Sequence, residues 1–263
     1  MTRRRLWGDL EIVTALVFAV VSAALVTGCG AGRQAATDRT VNALLAGIPQ
    51  EGATLGKPTA PITMDVFTDL EDPTSRWWFR EDLPAIIDNF VRTGALKLRY
   101  HAFKRNTYWP AVFVNQQTAA LAAGAQDKLW NYIDTFFYEQ GRELTHYVTE
   151  RYLDGIARQI SGLNLARWHA DRHTGRREER TAAEDQLARA IGLHVTPAFR
   201  IGKNSNQMSN FMGRATIRYA EQKHPIGLIE AVDIARAIKL LEHGKHIPPA
   251  ARAIPLIVYE RLE

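Results

Sequence analysis

The residues able to do chemistry in this chain concentrate in Asp69-Leu70-Glu71-Asp72-Pro73-Thr74-Ser75, which holds three carboxylates and two hydroxyls. Asp72-Pro73 reads as a helix start. An Asp side chain accepts from the unpaired backbone N–H groups of the first turn, and Pro at N1 has no donor to lose. The helix field favours an anion at that position. Asp72 is therefore a structural cap on one reading, and a cap with a polypeptide-binding or regulatory role on the other. Ser75, at N3, is expected on the helix surface. A glycosidase-type carboxylate pair would need a defined separation across a cleft, which spacing along the chain does not supply.

Other chemistry is thinner. His169 and His173 stand at i, i+4, but Trp168-His169-Ala170-Asp171-Arg172-His173 lacks the HExxH pattern and a third ligand, so it reads as a polar helix face with no metal. No Gly-rich phosphate loop or G-x-S-x-G elbow is present, and no cofactor is expected. The single cysteine, Cys29, excludes an internal disulfide and any CxxC site. It follows Arg3-Arg4-Arg5 and the apolar run Ile12 to Val26, the basic-then-apolar layout of an export signal. That run is shorter than the roughly 20 residues that comfortably span a bilayer. Leu25-Val26-Thr27-Gly28-Cys29 resembles a bacterial lipobox, which would make Cys29 a lipidated mature N-terminus. The alternative is an uncleaved anchor helix with an incidental cysteine, which Asp9 and Glu11 favour. Thr2-Arg3-Arg4-Arg5-Leu6 resembles a twin-arginine signal only faintly.

The 263 residues suit one sizeable domain, with 46% hydrophobic and 23% charged residues in the globular range. The net charge of +5 falls to about +4 without residues 1–28. Arg176-Arg177-Glu178-Glu179-Arg180 mixes its signs as a solvated face does, and no nucleic-acid partner is expected. Gly30 to Thr40 is rich in Gly, Ala and polar residues and reads as a tether.

Regular elements begin at Ile62 to Phe67 and at the strictly alternating Leu96 to His101, both strands. Between them Leu83, Ile86, Ile87, Phe90 and Val91 share a helical face, closed by Gly94. The result is a parallel β-α-β unit. The next ninety or so residues are helical. Leu129, Ile133, Phe136 and Phe137 form one stripe, Tyr152, Ile156 and Ile160 another, and Thr181 to Ile191 is Ala-rich; Trp109, Trp130, Tyr138 and Trp168 are assigned to packing. Strand character returns at Ala198 to Ile201 and near Met208 to Met212. A last helix from Pro225 to His243 would bury Ile226, Ile229, Val232, Ala235, Ile238 and Leu241.

Two segments give this order a family. Val66-Phe67-Thr68-Asp69-Leu70-Glu71-Asp72-Pro73-Thr74-Ser75 resembles the first strand and active-site turn of the DsbA-like thiol oxidoreductases, where Cys-Pro-x-Cys opens the helix. Gly192-Leu193-His194-Val195-Thr196-Pro197-Ala198-Phe199-Arg200-Ile201-Gly202 is similar to the segment in which that family carries a cis Thr-Pro bond facing the turn. The resemblance implies an α/β thioredoxin fold with an inserted helical subdomain. It covers about residues 50–243, and with the leader and tether read above the chain divides into 1–28 as signal or anchor, 29–50 as tether, 51–243 as the domain with its insertion at about 104–190, and 244–263 as an extension.

Aligned on Pro73, Asp72 and Ser75 occupy the two cysteine positions, Pro73 and Thr74 lie between them, and Thr196-Pro197 could offer an edge to an extended peptide. Disulfide exchange needs a thiolate, and neither a carboxylate nor an unactivated hydroxyl forms a mixed disulfide. The expectation is a redox-inactive, extracytoplasmic, membrane-tethered protein that binds polypeptide or an envelope partner. The alternatives are a thiol–disulfide oxidoreductase-type role in envelope thiol metabolism, or a structural lipoprotein domain.

Overall fold

A computed structural model describes residues 36–203, 207–211, 231–245 and 247. Cys29, the leader, Ile226 and Ile229 lie outside the described residues. The chain runs α1 (residues 36–45), β1 (Gln50–Glu51), β2 (Thr54–Leu55), β3 (Ile62–Thr68), α2 (Pro73–Glu81) and α3 (Leu83–Ile86). A π-helical turn, Ile87–Val91, leads to β4 (Leu96–Ala102). Then come α4 (Pro110–Gly124), α5 (Leu129–Glu139), α6 (Glu150–Arg158), α7 (Leu165–Arg172) and α8 (Gly175–Ala190), followed by β5 (Ala198–Gly202), β6 (Ser209–Phe211) and α9 (Ala231–Glu242).

The strands form one sheet in the order β1-β2-β4-β3-β5-β6, with β3 and β4 parallel and the other pairs antiparallel. All seven residues of β3 are buried, as befits a central strand covered on both faces. In β4 the alternation seen in the sequence becomes alternate burial, with Leu96, Leu98 and Tyr100 at 0% exposure. Leu83, Ile86, Ile87 and Val91 are buried as expected, but the helix widens into a π turn. Arg92 N–H bonds Ile87 O and Ala95 N–H bonds Phe90 O, five residues back. Gly94, at φ +86°, ends it where an L side chain would be strained and would meet Lys57.

The helical block packs as the stripes require. Leu129, Ile133, Phe136 and Phe137 are all buried, and Trp130 and Trp168 satisfy their indole N–H groups on Ala53 O and Ala119 O. The block is fastened to the sheet by α8, whose Glu184 and Asp185 carboxylates accept from the Ala102 and Lys104 amides at 2.8 Å. His101 lies between Asp65 at 3.3 Å and Glu184 at 3.7 Å. Burial works against its charge, but those two carboxylates outweigh it and raise its pKa.

Two expectations need correction. The segment read as a tether is part of the folded body from residue 36. Val41, Leu45 and Ile48 recur at i, i+4 and i+7 and enter the core, each burial contributing roughly 1.5–3 kcal/mol. Arg92 donates to Leu44 O and Ala46 O at the end of that helix. The polar run before Val41 had hidden the stripe. In α9 the buried stripe is Ile234, Ala237 and Ile238 with Leu241 beside it, while Val232 is 67% exposed and Ala235 faces solvent. A constant spacing of three residues drifts by about 60° per step around a helix of 3.6 residues per turn, so Val232 and Ala235 leave the face that buries Ile238.

Candidate functional site

Strand β3 ends at Thr68 and the chain turns through Asp69 to Asp72 into α2. Asp72 is the N-cap, with extended backbone at φ −78° and ψ 118°. Its Oδ1 accepts from the Thr74 amide at 3.0 Å, its Oδ2 from the Ser75 amide at 2.9 Å, and the Ser75 hydroxyl donates to Oδ2 at 2.7 Å. Pro73 is exposed and Thr74 half-buried. Ser75 corrects the surface expectation, since it is 0% exposed. The helix turns its N3 side chain back onto the cap, and the protein covers both.

Three effects compete at the Asp72 carboxyl. Burial, the largest, disfavours the charge, whereas the Ser75 and Thr196 hydroxyls and the two amides favour it. Burial wins, and the pKa is pushed up to about 6. The helix start supplies donors as expected, yet the site does not hold its anion as cheaply as the helix field alone would suggest.

Thr196-Pro197 comes to this turn from the other half of the chain. Its peptide bond is cis. Antiparallel pairing of Ala198 with Phe67 and Phe199 with Val66 sets the segment beside the end of β3, where the Thr196 hydroxyl lies near enough to favour charge on the Asp72 carboxyl without making a hydrogen bond of normal geometry to it. The two motifs picked from the sequence therefore form one site.

Asp69 organises what lies beneath. Its Oδ2 accepts from the amides of Arg105, Asn106 and Thr107, each at 2.8 Å, and its Oδ1 accepts from the Glu71 amide and the Thr107 hydroxyl. This carboxylate of the acidic cluster is committed to holding the loop after β4. Glu71 is 4% exposed. Burial raises its pKa, the charges of Asp69 and Glu143 add to the rise, and the Thr107 hydroxyl opposes it. Gln140, at the end of α5, donates to Leu70 O at 2.7 Å and Asp72 O at 3.2 Å, so a second loop is tied to the turn.

Three loops thus converge here, over residues 103–109, 140–149 and 192–197, and each presents an exposed apolar side chain. Tyr108 is 68% exposed, Leu144 62% and Val195 45%. The Trp109 ring lies 3.4 Å from that of His146, so this tryptophan fastens two loops of the site rather than packing between helices. Leu144 and His146 hold φ of +62° and +54°, the left-handed region, which Leu seldom occupies. An apolar rim of this kind suits the docking of another chain.

Sequence reasoning missed Gln140, the structural role of Asp69, and the rim. Val195 stood next to the recognised Thr-Pro pair and Leu144 stood alone in a polar stretch, but exposure of a single apolar residue carries no periodic signal. His169 pairs with Asp154 at 2.9 Å, and His173 is the exposed C-cap of α7. Among the described residues no group of three or more His, Cys, Asp or Glu is placed to hold a metal. None of their helices is long and apolar enough to cross a membrane.

A family model described as Thioredoxin matches residues 49–212. A probable disulfide bond formation protein D of Bacillus anthracis is 22% identical over 156 residues, which is 57% of this chain and 69% of that protein. Among solved structures, oxidised BdbD of Bacillus subtilis matches with a TM-score of 0.55 at 15% identity, covering 73% of this chain and 95% of that one. DsbA of Chlamydia trachomatis matches with a TM-score of 0.56 at 19% identity, covering 74% and 93%. At such identities the structural likeness speaks for the fold, a sheet with a helical subdomain inserted between its two halves.

Proposed function

Because the chain belongs to the thioredoxin family, in its DsbA-like form, we propose that it is an extracytoplasmic, membrane-tethered protein that binds polypeptide at the Asp72 turn without exchanging disulfides. The observation that carries this reading is the buried hydrogen bond between Asp72 and Ser75, at the two positions where the resemblance places redox cysteines. A carboxylate capped by amides and a hydroxyl donating to it offer no sulfur for a mixed disulfide. The rim of Tyr108, Leu144 and Val195 supports binding, because an apolar surface beside a Thr-Pro segment suits an extended chain. Export fits the basic and apolar leader, and attachment fits Cys29.

The description of the Bacillus relatives as disulfide bond formation proteins favours a second reading, a role in envelope thiol–disulfide metabolism, which this chain would exercise through a partner's cysteines. Insulin reduction by a dithiol in the presence of solubilised envelope extract, which supplies a partner's cysteines, separates the two, with the rate of extract alone as the uncatalysed reference. The proposed protein gives the uncatalysed rate. Catalysis above that rate, persisting in a Cys29→Ala variant, would overturn the redox-inactive reading.

A further inference from the structure

We infer that the turn-bearing end of the molecule is held close to the membrane, so that the polypeptide it takes is a segment anchored in or emerging from the same bilayer. This rests on the polypeptide-binding reading and names its substrate class. The chain enters the folded body at the end that carries the site. The Thr37 hydroxyl, at the start of the described part of α1, donates to Glu139 Oε1 at 3.1 Å, and the next residue, Gln140, holds the carbonyls of Leu70 and Asp72. From there α1 runs away from the turn alongside α5, with Asn131 donating to Asn42 at 3.2 Å.

Both attachments that the sequence offers, a lipid on Cys29 or an anchor ending near Val26, lie just before this entry. Thr37 follows Cys29 by eight positions. In any conformation those eight backbone steps reach no farther than about 29 Å. The far end of the body is not bound in this way. Helix α4 has 15 residues and starts beside the loop that Asp69 holds. At 1.5 Å per residue it carries Ala125 roughly 20 Å from the turn end. Polypeptide near a bilayer surface is rich in apolar and aromatic side chains, which the rim of Tyr108, Leu144 and Val195 matches in character.

Full-length protein, purified from membranes with its anchor intact, would be placed in phosphatidylethanolamine–phosphatidylglycerol vesicles carrying an acceptor fluorophore on a headgroup. A donor is attached through Asn106→Cys at the turn end or Ala125→Cys at the far end; both positions are exposed. Transfer from position 106 is expected to exceed that from 125 by roughly twofold or more, given the ~20 Å between them. Equal transfer, stronger transfer from 125, or none from either overturns the inference. A photocrosslinker on the Asn106→Cys thiol is then offered one cysteine-free apolar peptide in three forms: free, joined directly to a transmembrane helix, or raised on a rigid spacer beyond the tether's reach. Preferential capture of the membrane-proximal form supports the inference. Equal capture of all three overturns it while leaving polypeptide binding intact, and capture of none overturns both.

Discussion

The Ser75 hydroxyl donates a 2.7 Å hydrogen bond to the Asp72 carboxylate, and neither residue is open to solvent. In place of a link that would respond to reductant, the turn has one that responds to protons, because burial pushes the Asp72 carboxyl up to about 6.

The consequence for stability has a definite sign. Between pH 3.8 and about 6 the folded state binds more protons at Asp72 than the unfolded state does, so stability falls as pH rises through this window. The ionised carboxylate costs about 3 kcal/mol at neutral pH. Asp72→Asn, which keeps a capping acceptor without the charge, is expected to be the more stable protein at pH 8 and to lose its advantage at pH 4. Urea titrations at the two pH values check this. A variant less stable than wild type at pH 8 would show that the capping hydrogen bonds outweigh burial.

Much of this site was legible in the sequence because local rules suffice there. Asp72 and Pro73 obey helix-start chemistry, and the alternation in β4 gives its burial directly. What lay beyond reach depended on contacts between distant segments. Asp69 stood in an acidic cluster with no role legible in the sequence, and its structural role emerges only once the 105–107 loop folds over it. Ser75 looked exposed by helix position and was covered by its neighbours. The helix at 36–45 was disguised by its polar beginning, and the rim by its lack of any period.

Asp134 provides an independent test of burial energetics. It lies on α5 with 1% exposure, and neither carboxylate oxygen has a hydrogen-bond partner. Burial pushes its pKa up to about 7, with the charge of Arg80 limiting the rise. Asp134→Asn is therefore expected to add about 4 kcal/mol at pH 8 and little at pH 4. Denaturation midpoints that move equally at both pH values would contradict a proton-linked cost.

Removing the Asp69 carboxylate should loosen the site from below. Asp69→Ala leaves the amides of Arg105, Asn106 and Thr107 without their acceptor and is expected to cost about 3–5 kcal/mol. Amide hydrogen exchange should accelerate at residues 105–107. Unchanged protection there would mean that the loop is held by something other than this carboxylate.

The spacing of the turn can be tested by restoring sulfur. Asp72→Cys with Ser75→Cys, in a Cys29→Ala background, should close a disulfide under mild oxidation, since the two side chains already meet. Thiol titration should find both groups consumed. Two free thiols after oxidation would mean that the positions do not correspond to the redox pair.

The central claim is that this turn binds polypeptide without using a thiol, and fluorescence anisotropy with a labelled, cysteine-free, unfolded peptide measures it most directly. Wild type is expected to bind the peptide equally well with and without reductant, and Tyr108→Ser combined with Leu144→Ser to weaken it by about tenfold or more, as loss of exposed apolar anchors should. Absence of binding by the wild type, or affinity unaffected by the double substitution, would contradict it.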